Sequence, residues 1–166
     1  MIIKGIIDED FTNYCVPSMF IATSKCNFKC DRECGRQICQ NSALAKQKSV
    51  DIKCEDIVAR YLANPITHAI VFGGLEPMDQ FDDVCALTIL LRTRFVGNCL
   101  DDVVIYTGYT KEELEKKNYL YFLRSYRNVI IKYGRFIPDQ APHFDPVLGV
   151  NLASDNQYAE RLTQNG

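Results

Sequence analysis

"SMFIATSKCNFKCDRECGRQICQN", residues 18–41, decides how this chain is read. Its first seven residues centre on the apolar run 19–22, with a β-branched isoleucine and threonine, and they predict a strand. The strand runs straight into a loop that holds Cys26, Cys30, Cys34 and Cys39. Such a loop suits a zinc knot, a disulfide cluster or the open side of an iron–sulfur cluster.

The surrounding chain narrows the choice. At 166 residues it is expected to be a single domain, residues 1–166, large enough to bury a core without staples. Its net charge is −2, with acids and bases mixed along the sequence, so nothing asks for a nucleic acid as partner. No run reaches the roughly 20 apolar residues that cross a bilayer, so no membrane role is expected. The start, "MIIKGIIDEDF", lacks the pattern of a signal peptide, which predicts a cytoplasmic protein. In a reducing compartment the eight cysteines are not read as disulfides. Cys15, Cys54, Cys85 and Cys99 lie among apolar neighbours and are expected to be small buried hydrophobes.

"IIKGII" predicts a strand before the quoted one. After the cysteine loop, Cys54, Ile57, Val58, Tyr61 and Leu62 form a helical stripe, with Asp51 as the expected N-cap. "THAIVFGG" (67–74) reads as a strand buried on both faces. Residues 79–95 predict a long buried helix carrying Phe81, Val84, Cys85, Leu91 and Phe95, widened by Leu87, Ile89 and Leu90. "DDVVIYTG" (101–108) and "NVIIKYG" (128–134) are further strands, and "TKEELEKK" is a short helix capped by Thr110. Strands alternating with helices predict an α/β fold with mostly parallel strands. From about residue 135, three prolines imply a loop or an arm across the sheet.

In such sheets ligands gather beyond the carboxyl ends of the strands. The cysteine loop, "GGLEP" (73–77) and "TGYT" (107–110) each follow a predicted strand, so they share one edge. A structural zinc site commonly takes two short cysteine pairs with a longer span between them, and no second pair follows here. Three thiolates on a cluster would instead leave one iron open to another ligand. Lys25, Lys29, Arg32 and Arg36 would offset its charge, or simply form a solvated basic face.

"CNFKC" begins the C-x3-C motif of the radical S-adenosylmethionine (SAM) superfamily, and "GGLEP" resembles its glycine-rich segment. "YTGYTKEEL", "KYGRF" and "ASDNQ" narrow the resemblance to the activating protein of the anaerobic ribonucleoside-triphosphate reductase, over residues 10 to 158. Two departures stand out. The usual motif is C-x3-C-x2-C, and no cysteine stands at position 33. Cys34 would lengthen the last interval by one residue. Cys39, followed by Gln40 and Asn41, looks like the family's final cysteine with extra residues bulging before it. The favoured ligand set is Cys26, Cys30 and Cys39, with Cys34 as the alternative third ligand. In "GGLEP", Leu75 interrupts the usual Gly-Gly-Glu-Pro.

The resemblance implies a shortened, open radical SAM partial (β/α) barrel. It implies a [4Fe-4S] cluster that reductively cleaves SAM to a 5′-deoxyadenosyl radical, which then takes a hydrogen atom from glycine in a reductase chain. SAM would be met by Asn41, Gly73, Gly74, Glu76, Pro77, Tyr106, Thr107 and Gly108, with Tyr109 as another ring to flank adenine. The implied partners are the large chain of a glycyl-radical-type anaerobic ribonucleotide reductase and a flavodoxin- or ferredoxin-like electron donor. Two alternatives remain: a radical SAM enzyme acting on another peptide or small molecule, and a non-catalytic zinc module. His68 and His143 are expected to be structural or exposed.

Overall fold

A computed structural model describes residues 1–93 and 99–164. Its strands are β1 (Ile2–Asp10), β2 (Ser18–Thr23), β3 (Val50–Asp51), β4 (Ala69–Gly74), β5 (Asp102–Tyr106), β6 (Val129–Tyr133), β7 (His143–Asp145), β8 (Val150–Leu152) and β9 (Tyr158–Arg161). The helices are α1 (Lys29–Cys34), α2 (Ser42–Ala45), α3 (Cys54–Leu62), α4 (Phe81–Thr93), α5 (Lys111–Lys116) and α6 (Tyr119–Leu123). Seven strands form one sheet in the order β3-β1-β2-β4-β5-β6-β9. The central four, β2, β4, β5 and β6, are parallel, and the strands flanking them are antiparallel. This is a mixed α/β fold on an open sheet, since among the described residues nothing pairs β3 with β9. No helix among those residues is long and apolar enough to cross a membrane.

Strand alternation assigns the two faces. Met19 and Ile21, Ile70 and Phe72, Val103 and Ile105, and Val129 and Ile131 pack with Ile57, Val58, Val84, Leu87, Leu114 and Leu120 of the helices. The intervening residues Ala69, Val71, Val104 and Ile130 meet Tyr14, Leu148 and Leu152 instead. The expected arm across the sheet is therefore present, built as the β7–β8 hairpin. The edge strand β9 escaped the sequence reading because "YAER" has one buried residue and no apolar run.

Several expectations need correction. Asp51 does not cap α3: it pairs with Ile2 in β3, and Lys53 takes the N-cap position. The helix expected from residue 79 begins as a 3-10 turn over Pro77–Gln80. Ile89 is exposed, and Phe95 lies outside the described residues. Cys15 is exposed, whereas Cys54, Cys85 and Cys99 pack partly buried against the core. Thr110 does cap α5, and Glu113 completes a capping box with it.

Candidate functional site

Thr23 ends β2, and Cys26, the first cysteine of the loop, lies three residues on. Its base is clamped by the segment after β4. Gln80 Oε1 accepts from the backbone N–H of Ser24 (2.7 Å) and Lys25 (3.1 Å), and the Glu76 N–H donates to the Lys25 carbonyl (2.8 Å). Asp79 accepts from the Asn27 N–H at 2.8 Å and from the Tyr109 hydroxyl at 2.7 Å. Phe28 adopts a left-handed conformation (φ 52°), unusual for a bulky side chain. That turn aims its N–H at Cys26 Sγ, 3.2 Å away, and lets α1 start at the next residue.

The loop then doubles back. Asp31 Oδ1 accepts from the N–H of Ile38 and of Cys39, both at 2.8 Å. This returns Cys39 to the neighbourhood of Cys30. Cys26, Cys30 and Cys39 line one cavity of about 600 Å³, while Cys34 is exposed and does not line it. Burial pushes the Cys26 thiol up to about 12, against the Phe28 N–H and with help from Glu76 and Asp79. Burial, then the neighbouring Cys39 and Asp31, push Cys30 up to about 11. Both are thiols at neutral pH in the metal-free protein, so ligation must displace their protons.

Of the expected basic face, Lys29 is drawn into an ion-pair network. Lys29 binds Glu113 and, at 3.5 Å, Glu33; Arg135 binds Glu113 at 2.7 Å and Glu33 at 3.3 Å. Burial works against the charge on Glu113, but hydrogen bonds from Arg135 and Lys29 hold its carboxyl down to about 2. Arg32 donates to the Asn27 carbonyl, and Arg36 lies 3.7 Å from Asp139. The network ties α1 to α5 and to the chain leaving β6.

Across the cavity stand the ends of the parallel strands. Gly73 and Gly74 line it, but protein atoms already make the close approach there: a Cβ on Gly73 would meet the Phe20 ring at 2.8 Å. Gly74 has φ +79°, and a Cβ there would meet Ala22 and Leu44 at 3.0 Å. Glu76 is buried rather than solvated. Its carboxylate accepts from Thr107 Oγ1 (2.7 Å) and the N–H groups of Gly108 (2.8 Å) and Met78 (3.0 Å). Burial raises it to about 7 despite those donors. Asn41, Tyr106, Thr107, Gly108 and Tyr109 also line the cavity. Pro77 does not; it opens the 3-10 turn behind Glu76. His68 is exposed and His143 starts β7, both away from this edge.

A family of 4Fe-4S single cluster domains matches residues 16–157. The chain belongs to that family. No curated protein and no solved structure matches it. Within a 4Fe-4S single cluster domain, Cys26, Cys30 and Cys39 are the residues that could hold the cluster. They fit it in chemistry, being thiols on one loop, and in place, being partly buried on one cavity. Among the described residues no three His, Cys, Asp or Glu side chains gather around one point for a single metal ion. A cluster held by these three cysteines would take one thiolate per iron, and so would tolerate a wider spread than a single ion.

Sequence reasoning missed Asp31, Arg135 and Lys132. Lys132 lines the cavity from β6 and is buried. Its signal was a lone charge inside "VIIKY", an otherwise apolar central strand.

Proposed function

We propose that this 4Fe-4S domain is a radical SAM enzyme whose cluster is held by Cys26, Cys30 and Cys39. The observation that carries the reading is the single cavity shared by those three thiols, Gly73–Gly74, Glu76 and the Tyr106–Tyr109 turn. Three protein ligands would leave one iron for the amino and carboxylate groups of SAM. When bound, the reduced cluster would supply one electron to the sulfonium, releasing methionine and a 5′-deoxyadenosyl radical that abstracts hydrogen. The protein's own part is placement and exclusion of water. Glu76 fixes the Thr107–Gly108 turn and keeps lone-pair capacity on Oε2 for an ammonium group. Tyr106 and Tyr109 offer rings for adenine. Cys34 is exposed off the cavity, which argues against a four-thiol zinc knot.

The substrate we assign, through the resemblance in "YTGYTKEEL" and "KYGRF", is a glycine of an anaerobic ribonucleotide reductase chain, with flavodoxin or ferredoxin as electron donor. Eight free cysteines support a cytoplasmic setting. Electron paramagnetic resonance tests both levels. Adding SAM to the reduced cluster should change its signal, and adding the reductase should produce a glycyl-radical doublet. An unchanged cluster signal would remove SAM from the account; a changed signal with no doublet would remove only the reductase.

A further inference from the structure

Phe20, Gly73, Tyr106 and Lys132 occupy successive strands of the same sheet face, at the end where the hairpin's apolar cover gives way to the cavity. Three of the four are apolar or aromatic; the fourth is a cation. Lys132 is 7% exposed, and its Nζ has one hydrogen bond, to the Gly134 carbonyl at 2.9 Å. Gln157 Nε2 donates to that same carbonyl at 3.2 Å, so the acceptor is shared. Among the described residues no carboxylate lies within ion-pair distance of Nζ; Glu76 acts on it only from further away. An ammonium has three donors, so two here find no acceptor among the described residues. The Tyr106 ring, 6.0 Å from Nζ, gives weak support. Burying a charge unpaired is costly, and a fold tolerates it where a ligand completes the pair.

We propose that Lys132 binds a carboxylate of the substrate, which in a protein substrate is an Asp or Glu side chain near the reacting glycine. One buried cation without a carboxylate partner matches a monoanion. Of the other cations on the cavity, Lys29 and Arg135 are paired with Glu113 and Glu33, and Lys4, only partly buried, donates to the carbonyls of Ala45 and Gln47. Lys132 stands on β6, three strands across the cavity from β2, which leads into the cluster loop, and competition with saturating SAM separates a substrate carboxylate from SAM's own. Naming the carboxylate as the substrate's rests on the radical SAM reading; the anion site itself does not.

The test follows the ε-nitrogen resonances of ¹⁵N-lysine-labelled, cluster-loaded protein during titration with acetate, and with acetamide as the neutral control. Lys132→Met assigns the Lys132 signal by its loss, and Lys132→Arg does so should the first variant not fold. Acetate, and not acetamide, should shift that signal, both without SAM and with SAM saturating. No shift, or the same acetate shift in Lys132→Met, would overturn the site. A shift abolished by saturating SAM would hand the position to the methionine carboxylate and overturn the substrate assignment. Failure of the enzyme to bind SAM would sink the radical reading while the acetate response in its absence still decides the site.

Discussion

The carboxylate of Asp31 holds the backbone N–H of Cys39 at 2.8 Å across eight residues of loop. With its second bond to Ile38, it folds the long interval after Cys30 into a closed bulge and leaves Cys34 outside. Hydrogen bonds to a charged acceptor contribute about 1.5–3 kcal/mol each, and this loop's partial exposure puts these at the low end. Asp31→Ala should therefore lower the iron bound per chain after reconstitution while leaving the far-ultraviolet dichroism unchanged. Full iron loading in that variant would show that Cys39 needs no such tether.

The choice of third ligand is separable from the tether. Cys34→Ala should retain the visible absorbance of the cluster, and Cys39→Ala should lose it. The reverse pattern would exchange the two residues in the account.

Glu76 predicts a pH dependence. Its carboxyl is raised to about 7 in the fold, against an ordinary value of 4.5. Between those values the native protein keeps a proton that the unfolded chain has released, so stability falls as pH rises from 4.5 to 7. The loss is at most about 3 kcal/mol, at 1.36 kcal/mol per pKa unit. Urea unfolding of the metal-free protein should show this decline, and Glu76→Gln should flatten it. An identical slope in the variant would assign the effect to other acids.

Much of this fold was legible in the residues, because the central strands carry apolar runs and end in Gly73–Gly74 or the Tyr106–Gly108 turn. The shared edge of three loops follows from parallel strands alone. What escaped was held by single polar contacts. Asp31 sits among charged neighbours, and nothing local marks it as the acceptor for a residue eight positions away. The β9 edge needs one buried alanine and its backbone pairing with β6, which no periodicity announces. Gly73 was expected to admit a ligand, but the room above it belongs to Phe20, a contact between strands that local sequence does not encode.

The ion network around Glu113 should govern how firmly the cluster loop is held. Arg135→Met leaves Glu113 with Lys29 and its capping bond from the Thr110 N–H, and frees Glu33 from the chain after β6. The cluster should then be stripped by an iron chelator several-fold faster than in the parent protein. Raising the salt concentration should narrow that difference, since exposed parts of the network are screened. Equal stripping rates at low salt would mean the network is ornamental to the loop.

The central claim is that three thiolates here leave an iron open for SAM. Anaerobically reconstituted protein, given SAM and dithionite, should form 5′-deoxyadenosine, and a Cys26→Ala/Cys30→Ala variant should form none. A folded sample carrying its full cluster that yields no 5′-deoxyadenosine would contradict the claim and leave a 4Fe-4S domain with another task.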